Sequence, residues 1–429
     1  MSASIQLKAQ TDRAHILKVY NWADYMDLDL IADFEDYYKK NTGESVKIVY
    51  QTFDINENML TEIEVGHEDY DVVCPSEYII ERMLKRGLLQ KIDTNFVSGV
   101  KNNLGNISPW IRSKMELMAP SDSIRVSDYT AAYFWGTTGF LFNKAFVDES
   151  DVQSWAAIQN PKFKGQLYVK DAFRDVYSVM IQYAKYQEII DGRANRQELA
   201  CNLSDSNLYA VEDVLLMAKP QVAGWEADFG KERMCQGKVW LNLTWSGDAQ
   251  WAISEAQEGV QLDYVVPQEG SNAWMDGWVI PIYAKNVKAA SYFINYMCSS
   301  ENAIRNMAVS GYVSAVATPE VLAAMIDNQA YQPLDATYFF GDNAKSVCLN
   351  HVMYPDRSVV DRCILMHDAG NRSEALIEMW ARVKGNNLNW KMLTFIITVA
   401  VSIITFALVR RWRIYRRHKM RRERLNAIS

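Results

Sequence analysis

The sequence predicts an α/β protein built on mainly parallel sheet, followed by a C-terminal transmembrane helix. Three observations carry that reading. The first 95 residues alternate short β-rich runs with amphipathic helical stretches, the same alternation resumes after Tyr133, and Met392–Val409 runs eighteen residues without a charge, Gly or Pro. A chain of 429 residues with 49% hydrophobic content has ample material for a buried core.

Ile16–Tyr20 reads as the first strand. Leu30, Ile31, Phe34 and Tyr38 then recur at helical spacing, and Gly43 is placed to end that helix. Val46–Tyr50 is the second strand, Met59, Leu60 and Ile63 mark a second helix, and Tyr70–Cys74 is a third strand. Ser76 is positioned to cap a helix that runs to Arg86 and stops at Gly87. This βαβαβ order implies parallel pairing with helices on both faces. Further on, strands are predicted at Leu167–Val169, Val239–Leu243, Leu262–Val266 and Val279–Pro281. Helices are predicted at Val176–Tyr186, Leu208–Ala218, Gly247–Ala256, Ala289–Cys298 and Ser373–Lys384.

The apolar run Met392–Val409 would span about 27 Å as a helix, with Trp390 and Trp412 at its ends. Nine Lys/Arg in 410–429 would hold that tail in the cytoplasm and place the rest of the chain outside it, anchored in the inner membrane. That orientation calls for an export signal. Met1–Ala14 has neither a basic n-region nor an apolar h-region, so the signal is expected upstream of this start or removed.

The net charge is −7, and setting aside the tail's nine basic residues and single Glu leaves the other 409 residues near −15. An acidic body repels nucleic acid and suits cationic ligands. The 13 Trp and 23 Tyr supply flat faces for alkyl chains and cations. Six widely spaced Cys, with no CxxC pair, give no support to a disulfide scaffold or a zinc site, and Cys74 reads as a buried strand residue. No cofactor is expected. Five scattered His and the absence of GxSxG, HExxH, P-loop and GxGxxG patterns argue against an enzyme.

In open α/β sheets the ligand crevice is formed by loops at the carboxyl ends of strands. Here those loops carry Trp22, Asp24 and Tyr25; Ser76, Glu77 and Tyr78; Asp171 and Asp175; Trp245; and Trp274 and Asp276. Lys170 and Arg174 are the cations among them. A dication with an aliphatic spacer needs such a set. Its ammonium groups lose several kcal/mol of hydration each unless carboxylates replace the water, for which Asp24, Asp276 and either Asp171 or Asp175 are available. Its methylenes gain roughly 0.8 kcal/mol apiece under apolar cover, which Trp22, Trp245 and Trp274 offer.

Over about residues 16–385 the sequence resembles the spermidine/putrescine-binding proteins of bacterial ABC importers, through VYNWADY (Val19–Tyr25), YDVVCPSEY (Tyr70–Tyr78), YFWGTTG (Tyr133–Gly139), WSGDA (Trp245–Ala249) and WMDGWVIP (Trp274–Pro281). The resemblance implies the type II periplasmic-binding-protein fold, two lobes joined by a hinge, with lobes of 16–136 plus 277–318 and of 137–276 plus 319–385. It implies that Trp22, Asp24 and Tyr25 face Ser76 and Tyr78 across the ligand, that Trp245 and Trp274 form aromatic walls, and that Asp276 holds an amine. Asp175 matches an acidic position on the second lobe, and Tyr312, in SGYVS, matches a late tyrosine contact. The implied partners are a polyamine, putrescine or spermidine, and ABC permease subunits. A membrane-tethered polyamine sensor, or the same fold with another cationic solute, is the alternative. Three departures stand out: in Asp171–Asp175 the acidic pair matches the family at Asp175 while Asp171 falls out of register, a glutamine used by some members has no counterpart in Arg362–Asp368, and the C-terminal apolar run is foreign to members that are free or lipid-anchored.

Overall fold

The computed structural model describes residues 13–227 and 229–385 and, beyond them, 394, 397–399, 401–402, 405–406 and 409–411. These fall into two compact units divided between Leu376 and Ile377. The first holds the sheet. Its strands are β1 (Ile16–Trp22), β2 (Lys47–Phe53), β3 (Val72–Val73), β4 (Leu89–Gln90), β5 (Thr130–Asn143), β6 (Leu167–Lys170), β7 (Val222–Glu226), β8 (Leu241–Trp245), β9 (Leu262–Val265), β10 (Ser271–Pro281), β11 (Val313–Ser314) and a last short strand, Cys363–Ile364, beside β10.

The strand order is β2-β1-β3-β10-β5-β8-β6-β7. The flanks obey the predicted parallel rule: β1 pairs parallel with β2 and β3, and β6 pairs parallel with β7 and β8. The centre does not. β10 runs antiparallel to both β3 and β5, and β5 runs antiparallel to β8. β5 meets β10 along its first half, from Thr130↔Val279 to Thr137↔Ala273. It then meets β8 along its second, from Thr138↔Trp245 to Phe142↔Leu241. Both long strands are buried at every position, so neither shows the in/out alternation that marks a half-exposed strand.

In the N-terminal part the predicted elements form near their expected places. Leu30, Phe34 and Tyr38 are the buried stripe of helix Asp29–Thr42, and Gly43, at φ 75°, takes the left-handed residue that ends it. One local reading is corrected. Ser76 does stand at the start of helix Glu77–Lys85, but its side chain makes no cap hydrogen bond. Its hydroxyl is engaged instead by Asn56 and by Asp276.

The expected C-terminal transmembrane helix is corrected as well. Among the described residues no helix is long and apolar enough to cross a membrane, and part of the 392–409 run lies outside them. Eighteen residues is near the short end of the range for a span, and four of them carry hydroxyls, Thr394, Thr398, Ser402 and Thr405. Inner-membrane anchoring through that segment goes with it. The 410–429 tail, like the Met1–Ala14 start, lies almost wholly outside the described residues.

Candidate ligand cleft

All eleven residues singled out from the sequence line one cavity of ≈ 180 Å³: Trp22, Asp24, Tyr25, Ser76, Tyr78, Asp171, Asp175, Trp245, Trp274, Asp276 and Tyr312. The convergence follows from topology. The ends of β1 and β3 bring the first five, the ends of β6 and β8 bring Asp171 and Trp245, and β10 runs between the two groups with Trp274 and Asp276.

Asp276 owes its position to a break in the β10–β5 register between Met275 and Gly277. Released from that ladder, it forms an isolated antiparallel bridge with Ser76, and the Gly277 N–H donates to the Pro75 carbonyl at 3.1 Å. The carboxylate is 6% exposed and accepts hydrogen bonds from the hydroxyls of Tyr25 and Ser76. Burial pushes its pKa up to about 6, against the relief those two donors give. Asp175, on the first turn of helix Phe173–Ala184, is 8% exposed. It accepts from Trp245 Nε1 at 3.2 Å and from Asn272 Nδ2 at 3.1 Å, and burial likewise pushes it up to about 6. Neither carboxylate forms an ion pair with a protein cation among the described residues. Of the two acids the sequence offered on that turn, Asp175 is the buried one; Asp171 is exposed at the cavity rim.

Asp24 also lies at the rim, its side chain 86% exposed and its backbone left-handed at φ 53°, a conformation that aspartate tolerates better than most residues. The aromatic walls are set from below. Trp22 packs on Phe53 with ring centroids 4.4 Å apart, and Trp274 meets Tyr312 edge-on at 5.6 Å. Tyr25 touches Tyr312 in the same edge-on manner at 4.7 Å. The indole N–H groups of Trp22 and Trp274 are buried without a hydrogen-bond partner among the described residues.

The motifs acquire physical reasons here. In YFWGTTG, a Cβ on Gly136 would fall 2.4 Å from Trp274 Cζ2, so only glycine lets that indole lie against β5. In WSGDA, a Cβ on Gly247 would fall 2.3 Å from the Tyr312 ring. The next residue, Asp248, accepts from Tyr312 Oη at 2.8 Å, fixing the ring that Gly247 admits.

Sequence reasoning missed a charged cluster on the β6–β8 side. Lys170 Nζ lies 2.5 Å from Asp248 Oδ2 and 3.6 Å from Glu226 Oε2, and Lys231 Nζ lies 3.8 Å from Asp248 Oδ1 and 3.9 Å from Asp24 Oδ2. Arg174 pairs with Glu57 at 3.2 Å and stacks its guanidinium over Tyr78 at 4.4 Å. Glu77 stood among the strand-end residues but was not singled out as a contact. It is fully buried behind the site, accepts from the Met275 N–H, and has its pKa pushed well up by burial. Asp248 was legible as part of a motif; Glu226 had no signal beyond its position at a strand end. In all, the lining holds seven carboxylates against three protein cations, so its formal balance favours a positive solute.

An α/β sheet whose two long central strands pass beside an acid- and indole-lined cavity defines a solute-binding protein of the periplasmic-binding-protein fold. The sequence profile of bacterial extracellular solute-binding proteins matches residues 29–332, and the chain belongs to that family, one of binders rather than enzymes. It is 28% identical over 378 residues to the spermidine/putrescine-binding periplasmic protein of Escherichia coli (strain K12), covering 88% of this chain and 93% of that one. To the putrescine-binding periplasmic protein SpuD of Pseudomonas aeruginosa (strain UCBPP-PA14) it is 27% identical over 405 residues, covering 90% and 96%. The crystal structure of the spermidine/putrescine ABC transporter substrate-binding protein PotD from Streptococcus pneumoniae matches with a TM-score of 0.63 at 25% identity, covering 86% of this chain and 98% of that one.

Proposed function

We propose that this chain captures a linear polyamine, putrescine or spermidine, in the periplasm and delivers it to the permease of an ABC importer. The observation that carries the reading is the pair of buried carboxylates, Asp175 and Asp276, which accept hydrogen bonds but form no ion pair with a protein cation among the described residues. A buried charge without a counter-ion is costly, and a solute ammonium is the group that relieves it. Each charge-assisted hydrogen bond so formed contributes about 1.5–3 kcal/mol. The walls of Trp22, Trp245 and Trp274 suit a methylene chain, and the names of the relatives point to the same solutes.

In this reading the eleven cavity residues are the ligand contacts. The lobes are 16–136 plus 277–318 and 137–276 plus 319–385, and they pivot where β5 and β10 pass from one to the other. Trp274 and Asp276 stand on that passage, so solute contact there biases closure directly. Calorimetric titration of the chain with putrescine and with spermidine tests the proposal. Micromolar or tighter binding of either is expected, and no heat and no thermal shift with both would reject it.

A further inference from the structure

The polyamine reading leaves one deeply placed cavity group without a role. Lys170, the last residue of β6, is 1% exposed. Its ammonium lies 2.5 Å from Asp248 Oδ2 and 4.3 Å from the centroid of the Trp245 ring. A carboxylate beside an indole face is the pair of contacts that an alkylammonium solute seeks, and here the chain supplies the ammonium itself. Tyr312 Oη and Lys231 claim the other oxygen of Asp248, at 2.8 and 3.8 Å. The same indole also serves a second acid: its Nε1 donates to Asp175, which like Asp276 forms no ion pair with a protein cation among the described residues. The cleft therefore holds two cation-accepting places that share Trp245, one filled from within and one not.

Resting on the polyamine reading, we infer that Lys170 is a specificity-determining residue. Its ammonium takes the place between Trp245 and Asp248 and leaves the solute Asp175 and Asp276, so the cleft selects a short diamine over a longer triamine. The additional ammonium of a triamine would have to approach Lys170 and Lys231, and that repulsion is not screened in a buried site.

Titration of the full chain with putrescine and with spermidine is the first test, and it needs no variant. Putrescine is expected to bind at least about tenfold tighter. Equal or tighter binding of spermidine would overturn the inference while leaving the polyamine reading intact, and binding of neither would fail that reading itself. The second test uses Lys170→Met, together with Lys170→Met/Glu226→Gln, which removes one buried charge of each sign and guards against a fold lost to an unpaired carboxylate. In either folded variant the preference for putrescine is expected to shrink by about tenfold, chiefly through tighter spermidine binding. An unchanged preference in a folded variant would overturn the assignment.

Discussion

Asp276→Asn should make the protein more stable and worse at binding, and the two effects can be worked from the same carboxylate. Burial raises its pKa from 3.8 to about 6. A carboxyl whose folded pKa lies above its unfolded value takes nothing from stability below the unfolded value. Its cost grows between pH 4 and pH 6 and is complete above that. At 1.36 kcal/mol per pH unit the full cost is about 3 kcal/mol. Asparagine removes the charge but leaves one of the Tyr25 and Ser76 hydroxyls poorly accepted, at about 1 kcal/mol. The variant should therefore gain about 1–2 kcal/mol at pH 8, a rise of a few degrees in melting temperature, and the gain should vanish near pH 4. Losing the charge-assisted contact to an amine should weaken binding by at least about 1.5 kcal/mol, more than tenfold. Differential scanning calorimetry of the free protein at several pH values, paired with titration by putrescine, measures both. A variant that melts lower than its parent at pH 8 would refute the burial argument. One that binds the amine as tightly would remove Asp276 from the site.

Three further outcomes follow from the same geometry. With both acids at about 6, a drop from pH 8 to pH 5 should cost about tenfold in affinity per carboxylate, and up to about a hundredfold if both must ionise; alkylamines stay protonated throughout, so a flat titration series over that range would contradict the assignment. Trp245→Phe keeps a ring near Lys170 but deletes the donor to Asp175; affinity at pH 7 should fall by about 1 kcal/mol and the pH midpoint of binding should move upward, both readable by calorimetry. Gly247→Ala puts a Cβ 2.3 Å from the Tyr312 ring, so thermal denaturation should report a loss of about 1–3 kcal/mol, with tyrosine fluorescence as a check on the displaced ring.

The cleft was more legible than the sheet that carries it. Indoles and acids cluster at strand ends in the sequence itself, and β-α alternation is enough to bring strand ends together, so Trp22, Asp24, Trp245, Trp274 and Asp276 could be found without coordinates. β5 could not be delimited in this way. All fourteen of its residues are buried, its apolar run has no period, and its two glycines read as breaks although they serve close approaches by Trp274 and Tyr264. The partnership of Lys170 with Asp248 was hidden for another reason: 78 positions separate the two, and local sequence says nothing about which cation a buried acid will meet. The 392–409 run shows the converse error. Hydropathy in an eighteen-residue window crosses the threshold for a span, yet no described helix meets the requirement of length and apolarity together.

β5 and β10 each pair with strands on both sides of the sheet, β10 with β3 and β5, and β5 with β10 and β8. Anyone building a fluorescent reporter on this scaffold should therefore leave 130–143 and 271–281 uncut. A domain inserted there would unzip two ladders at once and strand Trp274 and Asp276 on a free edge. The exposed turns at Gly192 and Gly259, both at positive φ with open space around them, are better grafting points, because a bulky guest there displaces solvent rather than backbone pairing.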